Sequence, residues 1–398
     1  MTHTTISGDF EERFAPLVKR LDEQLASTPY GGAALVVYQD GAPVVDVWGG
    51  YADITTGRPW VRDTPVLMYS SSKSIAAIVT LRLAEQGVID LDAPVATYWP
   101  EFGRHGKERV TVREVMAHRA GLPYIDADLS REEVLAVGPL VEALADQRPA
   151  WEPGTAHAYH ALTVGAILGE IVRRATDKTL GTVLREDLTL PLDLDLWIGL
   201  PEDIQGRAAM ILPAEPAGAS SDLLDAVRAV LAEDDRVWRT LSLNDALPLP
   251  ATGVTMKNAY NDPAVRAAEL PAGNAVGTAR SLAALHAGLI GAVPGHGLDT
   301  PLLTELTIAD ATRPLSWGAP VFGAFGEPYP VWGSGFLVPS EVRPMLGPSS
   351  FGHDGAAGAL CFADPEHRIG FAYLPSVMGS MPDLRSNVLV DELRSCLS

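Results

Sequence analysis

Strand patterns occupy both ends of this 398-residue chain, and helical patterns fill the long stretch between them. Near the N-terminus, two apolar runs at 33–38 and 44–48 are joined by Gln39-Asp40-Gly41, and Asp-Gly between apolar runs is typical of a hairpin. Further strand patterns occur at 331–338, 358–363 and 368–374. Two β-rich ends separated by helices predict one sheet built from both termini, with a helical domain inserted between its strands.

This order predicts an α/β (α+β) fold with two domains. Residues 1–70 and 295–398 are expected to form the α/β domain, and residues 71–294 the mostly helical domain. Residues 201–260, which are rich in Pro and Ala, fit either a segment that caps a cleft between the domains or a surface excursion. Helices are predicted at 10–25, 71–86, 220–235, 277–291 and 382–397.

Charge and composition exclude several classes of protein. The chain has 50 acidic against 30 basic residues and a formal charge of −20, which argues against binding to nucleic acid or to an anionic membrane. No apolar run reaches the roughly 18–20 residues that a membrane-spanning helix needs. The first residues lack the basic and apolar regions of a secretory signal, so a cytoplasmic protein is expected. Cys361 and Cys396 fit no metal or redox spacing and are predicted to be free.

The most specific local pattern is S-x-x-K, formed by Ser70 and Lys73. On a helix these positions share a face, so the lysine amine can reach the serine hydroxyl. A partly desolvated lysine has a depressed pKa and can take the proton of a serine nucleophile. On the tetrapeptide alone, a serine-rich helix start followed by a solvated lysine is the simpler interpretation.

Other common site motifs do not occur in the chain. It has no G-x-S-x-G, no P-loop and no G-x-G-x-x-G after a strand. His157 and His160 are three residues apart, but no third ligand lies near them in the sequence, so no metal site is predicted.

Two further motifs give the S-x-x-K pattern a context. Residues 151–155 (Trp-Glu-Pro-Gly-Thr) are followed by Tyr159, and residues 351–355 read Phe-Gly-His-Asp-Gly. With Ser70 and Lys73, these segments resemble the three conserved elements of the serine β-lactamase and penicillin-binding-protein superfamily. The chain is most similar to the class C-like family VIII carboxylesterases and related transacylases. Further similarity lies at 49–53, 118–123 and 271–279, in the family's order.

This resemblance implies a β-lactamase/transpeptidase-like fold and specific roles for several residues. Ser70 would be the acylated nucleophile, and Lys73 and Tyr159 would share its proton, one as base and the other as relay; the sequence does not decide between them. The oxyanion hole would use the backbone N–H groups of Ser70 and Ala356. The resemblance implies no metal and no organic cofactor.

The chain departs from the β-lactamase pattern in two motifs. Tyr159-His160-Ala161 stands where those enzymes have Y-x-N, so the amide that would position an acyl side chain is missing. His353-Asp354-Gly355 stands where they have K-[TS]-G, so the lysine that attracts a substrate carboxylate is missing as well.

We therefore expect residues 353–355 to bind a neutral or cationic ester or amide better than an anionic β-lactam. His353 either hydrogen-bonds Tyr159 and tunes it or is a solvated residue at a strand end. Residues 332–336 are predicted to form a strand near the site, with Trp332 as pocket wall or core.

The leading hypothesis is a serine hydrolase for small to medium neutral carboxylic esters, acting through an acyl-enzyme on Ser70. An acyltransferase that forms an amide or ester in secondary metabolism is the first alternative, and a β-lactamase or D-aminopeptidase is the second. A catalytically inactive binding scaffold is the non-enzyme alternative. The expected partner is a small-molecule ester or acyl substrate, with no nucleic acid and no membrane, and the sequence leaves the oligomeric state open.

Overall fold

The structure is a computed structural model that describes residues 6–213, 234–247, 259–323, 327–379 and 383–398. Its strands are β1 Ser7–Phe10, β2 Gly32–Gln39, β3 Ala42–Asp53, β4 Arg58–Pro59, β5 Val66–Leu67, β6 Leu196–Trp197, β7 Val276–Gly277, β8 Val331–Trp332, β9 Leu337–Val338, β10 Phe351–Asp354, β11 Leu360–Asp364 and β12 Ile369–Pro375. Its α-helices are α1 Ala15–Ser27, α2 Ser72–Glu85, α3 Val112–Met116, α4 Arg131–Leu135, α5 Gly138–Asp146, α6 Thr163–Thr176, α7 Leu180–Leu184, α8 Asp235–Ser242, α9 Pro263–Ala267, α10 Ala279–Ile290, α11 Glu305–Ala311 and α12 Arg385–Leu397. Short 3-10 turns include Glu12–Phe14, Tyr69–Ser71, Val95–Thr97, Pro100–Gly103, Glu202–Arg207, Ala259–Asn261 and Pro294–His296, and a π-helical turn spans Arg185–Thr189.

The main sheet joins the two ends of the chain, as the sequence predicted. Within the described residues its strand order is β1-β3-β2-β12-β11-β10-β9-β8, with β4 paired to β3, and neighbouring strands run antiparallel. The predicted hairpin is β2 and β3. The strand β2 also pairs with β12 over seven residues, from Ile369 opposite Gln39 to Pro375 opposite Ala33. This pairing makes the N-terminal and C-terminal parts of the chain one sheet.

The two faces of the sheet pack against different helices. Alternate side chains of a strand point to opposite faces, and in β2 Leu35 and Val37 pack with α1 and α12, whereas Ala34 and Val36 belong to the larger core on the other side. The helix α10 covers that other face and contacts β2, β11 and β12. Although α10 falls inside the range predicted for the helical domain, it packs directly on the sheet; the domain boundaries themselves stay a prediction.

The helix α2 is the central element of the larger core. Most of its side chains are buried, on all sides, so it lacks the polar stripe of a surface helix. It contacts α6, α7 and β10, which places it between the helical part of the chain and the sheet. The helix predicted at 71–86 is therefore confirmed; Lys73 lies in its first turn, and Ser70 lies in the 3-10 turn just before it.

The strand predicted over 331–338 is wrong in its middle. The structure has two short strands, β8 and β9, which pair with each other across a turn. Gly335 adopts a positive φ of 83°, and a Cβ on Gly333 would lie 2.2 Å from the carbonyl oxygen of Ala311. These two glycines allow a tight turn where the sequence pattern suggested a continuous strand. Most of the helix predicted at 220–235 lies outside the described residues.

The close approach of α10 to the sheet predicts a stability effect at Gly370 in β12. A Cβ there would lie 2.5 Å from backbone atoms of Ala283 and Ala287, which cannot move aside without shifting α10. We expect Gly370→Ala to lower the free energy of unfolding by about 1–3 kcal/mol, measured by urea denaturation. Gly206→Ala is the matched control, because a Cβ at Gly206 meets no described atom within 4 Å. Equal stability of the two variants would contradict the packing of α10 on β12.

Candidate active site

Ser70 lies in a sharp turn that leads into α2. Tyr69, the residue before it, has a positive φ of 46°, which is uncommon for a bulky residue and is maintained here by surrounding contacts. The Ser72 hydroxyl donates to the Tyr69 carbonyl and accepts from the Ala275 N–H at 2.9 Å. The Met68 N–H donates to the Ala275 carbonyl at 3.0 Å. This turn leaves the Ser70 side chain partly exposed at the start of a buried helix.

Lys73 is buried beneath Ser70, with 5% of its surface exposed. Its Nζ lies 2.7 Å from the carbonyl oxygen of Ala161, 2.9 Å from that of Ala272 and 3.2 Å from Ser70 Oγ. Burial lowers the pKa of Lys73 from its ordinary 10.5 to about 7, and the negative charge of Asp354 opposes part of this shift. The amine is therefore close to half-neutral at neutral pH.

These three contacts determine where the free electron pair of the amine points. A carbonyl oxygen only accepts hydrogen bonds, so Ala161 and Ala272 each require an N–H from Lys73. A neutral amine has two N–H groups and one lone pair. With both N–H groups donated to carbonyls, the lone pair faces the third partner, Ser70 Oγ, in the geometry that a base requires.

Tyr159 is the second side chain, besides Lys73, that lies next to the Ser70 hydroxyl. Its hydroxyl group hydrogen-bonds Ser70, and Lys73 Nζ lies 4.7 Å from the centre of its ring. Burial raises the pKa of Tyr159 well above its ordinary value, and the bond to Ser70 offsets part of that effect. Tyr159 is therefore a neutral phenol at physiological pH. Its ring stacks on Trp332 at 5.9 Å between centres, so Trp332 supports the site from behind Tyr159.

The third motif lies at the end of β10, beside the Ser70 turn. The Ser71 hydroxyl donates to the His353 carbonyl at 3.3 Å, and a Cβ on Gly355 would lie 2.4 Å from the Met68 carbonyl oxygen. Ala356 follows Gly355 in the turn between β10 and β11, so its N–H is carried by a segment packed directly against the Ser70 segment. The structure thus brings together the two segments predicted to form the oxyanion hole.

Asp354 lies between His353 and Arg343 and forms an ion pair with Arg343. His353 is 1% exposed, and its Nδ1 lies 2.8 Å from the Asp354 carbonyl oxygen. Arg343 donates to Asp354 Oδ2 at 2.7 Å. Burial acts to raise the pKa of Asp354, but the bond with His353 and the charge of Arg343 hold it well below its ordinary value. Asp354 is therefore a permanent anion whose charge Arg343 partly balances.

Several partners of the site residues were missed by sequence reasoning. The carbonyls of Ala161 and Ala272 hold Lys73, but backbone acceptors have no side-chain signature in a sequence. The sequence predicted no role for His118 at the site, yet its ring centre lies 5.0 Å from that of Tyr159. The sequence signal for His118 was its position in the segment 118–123, which resembles a conserved turn of the family.

The described residues contain neither a metal-binding cluster nor a membrane-spanning helix. In the described ranges there is no group of three or more His, Cys, Asp or Glu side chains arranged to hold a metal ion. Within the same ranges no helix has the length and apolar character needed to cross a membrane.

Comparison with known proteins gives a result that agrees with this geometry. The family model described as "Beta-lactamase" matches residues 17–393. The chain belongs to the β-lactamase family. This β-lactamase family member is 33% identical over 380 residues to "Esterase/beta-lactamase LipL" of Mycobacterium tuberculosis (strain ATCC 25618 / H37Rv), an alignment that covers 92% of this chain and 82% of that protein.

Two solved structures of other proteins are similar to this chain over almost its whole length. A crystal structure of a family VIII carboxylesterase is 31% identical with a TM-score of 0.82, covering 98% of this chain and all of the other. EstA from Arthrobacter nitroguajacolicus Rue61a is 30% identical with a TM-score of 0.83, covering 100% and 99% of the two chains. The β-lactamase/transpeptidase-like fold predicted from the sequence is confirmed.

The depressed pKa of Lys73 predicts how stability changes with pH. The unfolded chain binds a proton on Lys73 up to about pH 10.5, whereas the folded chain releases it near pH 7, so the free energy of unfolding rises between these values. We expect Lys73→Met to remove this contribution, which is at most about 1.4 kcal/mol per pH unit. Urea denaturation of both proteins at pH 7 and pH 9 measures the difference.

Lys19→Met is the control for that experiment, since Lys19 is an exposed lysine on α1. Its pH dependence of stability should equal that of the unmodified protein. A Lys73→Met protein with the same pH dependence as the unmodified protein would show that Lys73 keeps its ordinary pKa in the fold.

Proposed function

We propose that this protein is a serine carboxylesterase that hydrolyses small to medium neutral esters through an acyl-enzyme on Ser70. The observation that carries the proposal is the 3.2 Å contact between Ser70 Oγ and Nζ of Lys73, a buried amine whose pKa is about 7. A serine hydroxyl needs such a base to become a nucleophile at neutral pH. The names of the similar proteins, an esterase/β-lactamase and a family VIII carboxylesterase, support ester hydrolysis.

In acylation, neutral Lys73 takes the Ser70 proton while Oγ forms a bond to the ester carbonyl carbon. The negative charge on the carbonyl oxygen is stabilised by the N–H groups of Ser70 and Ala356. The ester C–O bond then breaks, and Tyr159, a neutral phenol that bonds Ser70, passes the proton from Lys73 to the departing alkoxide. An alcohol leaves, and the acyl group stays on Ser70.

Deacylation uses the same groups in reverse order. Water lies where the alcohol left, gives its proton through Tyr159 to Lys73, and attacks the acyl carbon. The bond to Ser70 Oγ breaks, and Oγ takes the proton back from Lys73. Because Lys73 must receive and return a proton in each half-reaction, a pKa near neutrality suits both steps.

The charges around the third motif support a neutral substrate. Asp354 is anionic, its side chain is about one-third exposed, and Arg343 already occupies one of its oxygens. His353 stands where the β-lactamase pattern has a lysine, so the ammonium group of that lysine is missing here. A substrate carboxylate at this position would be repelled by Asp354, and a neutral ester avoids that repulsion.

Replacement of Ser70 tests the mechanism. We expect p-nitrophenyl butyrate turnover to fall about 10³-fold or more in Ser70→Ala, because the group that forms the acyl-enzyme is gone. Mass spectrometry of the quenched unmodified enzyme should show a butyryl adduct that Ser70→Ala lacks.

Ser74→Ala is the matched control for this prediction. Ser74 is a buried serine on α2 that bonds the Ser71 carbonyl rather than Lys73, so its variant should keep most of the activity. Full turnover by Ser70→Ala would refute the proposal. Faster release of p-nitrophenol on addition of an amine acceptor would favour acyl transfer, and turnover of a chromogenic cephalosporin above that of the ester would favour a β-lactamase.

Replacement of His353 tests the substrate class. We expect the unmodified enzyme to prefer p-nitrophenyl butyrate over the anionic p-nitrophenyl hemisuccinate. The substitution His353→Lys should shift the ratio of the two kcat/KM values toward the anion by about tenfold, which corresponds to about 1.4 kcal/mol. His367→Lys adds the same charge on a turn outside the site and should leave the ratio unchanged. An unmodified enzyme that prefers the anionic ester would contradict the assignment.

A further inference from the structure

The segment that carries Tyr159 has no regular secondary structure. Residues 157–160 lie in irregular backbone before α6 begins at Thr163. A strand or helix fixes its side chains through its own backbone hydrogen bonds, and this segment lacks that support. Its position therefore depends on bonds to other parts of the chain.

Backbone bonds join this segment to Val321, whose N–H donates to the His157 carbonyl at 2.9 Å, and to the His118 carbonyl, which accepts from the Ala158 N–H at 3.4 Å. Two histidine rings supply further bonds. The His160 N–H donates to Nδ1 of His118 at 3.2 Å, and the Leu122 N–H donates to Nε2 of His160 at 3.0 Å. The Thr163 hydroxyl donates to the Leu122 carbonyl at 2.6 Å. The segment 157–163 is thus connected to the segment 118–122 through imidazole nitrogens that accept backbone N–H groups.

These bonds require one tautomer of each ring. His118 must leave Nδ1 unprotonated, and His160 must leave Nε2 unprotonated while its Nδ1–H donates to the Ala158 carbonyl at 2.7 Å. A positively charged ring would direct an N–H at another N–H and break the connection. Burial keeps both rings neutral: it lowers the pKa of His160 to about 4 and that of His118 well below 6.5.

The charged and titratable groups that face these rings also favour neutrality. His157, Lys73 and His353 act on His118, and His157 and Lys73 act on His160; all of them lower the pKa of the ring they face. The uncharged rings of Trp332 and Trp151 cover His118 and His160 from the side.

Two groups of the active site lie on either side of His160 in the chain. The residue before it is Tyr159, which bonds Ser70, and the residue after it is Ala161, whose carbonyl oxygen holds Lys73. The His118 ring contacts the Tyr159 ring at 5.0 Å between centres and meets Trp332 edge-on at 5.4 Å. A shift of His160 would therefore move both the phenol and the carbonyl.

We propose that His118 and His160 are positioning residues, two neutral imidazole acceptors that hold the Tyr159 hydroxyl and the Ala161 carbonyl in register with Ser70 and Lys73. This inference rests on the proposed ester hydrolysis for its kinetic consequence. The two tautomers and the two N–H bonds are structural claims, and they do not depend on that activity.

Matched variants separate the acceptor from the rest of each side chain. Gln and Met have almost the same shape, but only Gln offers an acceptor near the position of Nε2. For His160→Met we expect kcat for p-nitrophenyl butyrate to fall about 100-fold with little change in KM, the size of effect that a misplaced catalytic group produces. His160→Gln should stay within about threefold of the unmodified kcat, because its amide oxygen restores the acceptor.

Position 118 needs a different pair, since its φ is 61° and only Gly and Asn adopt that conformation readily. His118→Asn places an amide oxygen near the position of Nδ1, and His118→Gly removes the acceptor without backbone strain. We expect Asn to retain most of the kcat and Gly to lose it. His286→Leu controls for the loss of any buried histidine, because His286 lies on α10 and bonds only within that helix among the described residues; its kcat should not change.

A measurement on the unmodified protein keeps the inference testable if a variant does not fold. The ¹⁵N chemical shifts of labelled histidine at pH 7 should show one ring protonated only at Nε2, for His118, and one protonated only at Nδ1, for His160. The opposite tautomers, a charged ring, or equal kcat losses in His160→Gln and His160→Met would overturn it. If the unmodified enzyme shows no Ser70-dependent turnover, the proposed function is refuted. The tautomers of His118 and His160 would then be the only test of the inference.

Discussion

The burial of the Lys73 amine is the constraint on which the rest of the site depends. An ammonium ion away from water is unfavourable unless its N–H groups are bonded, and a neutral amine needs fewer such bonds. The fold supplies two carbonyl acceptors and one hydroxyl, which suits both forms. Burial lowers the pKa of Lys73 to about 7, and Ser70 thereby gains a base that works at neutral pH.

The partners of Lys73 come from distant parts of the chain, and the architecture explains how they meet. Ser70 precedes α2, Ala161 precedes α6, and Ala272 lies in the loop between α9 and β7. Because α2 is surrounded on all sides, loops from the helical region and the end of β10 in the sheet can reach its first turn together. A surface helix could offer the same S-x-x-K pair, but its lysine would remain hydrated and fully protonated at neutral pH.

The sequence was informative where a structural signal is local. Two apolar runs and the Asp-Gly turn between them predicted β2 and β3, and helical spacing predicted α2 with Ser70 and Lys73 on one face. The resemblance to a known family brought in Tyr159 and the residues at the end of β10, which no spacing rule could connect to Ser70. The meeting of Ser70, Lys73 and Tyr159 in one site is therefore the part that sequence reasoning predicted best.

Sequence reasoning missed the features that depend on backbone atoms or on the close approach of two segments of the chain. The strand expected at 332–336 is a turn because Gly333 lies against the Ala311 carbonyl, a contact that the local pattern does not contain. The Ala161 and Ala272 carbonyls look like those of any other residue in a sequence. The acceptor role of His160 has the same origin, since its partner is the Leu122 N–H and not a side chain.

Apart from Ser70, the partners of Lys73 are backbone carbonyls, and this affects how the proton on Lys73 is controlled. Carbonyl acceptors stabilise the ammonium without offering a donor in return, so the balance between amine and ammonium depends on burial and on nearby charge. Burial favours the amine, and the anion of Asp354 favours the ammonium. Arg343 limits that second effect by balancing the charge of Asp354. The Arg343–Asp354 pair, on the sheet side of the site, thus helps to set the charge of a lysine that the helical side holds in place.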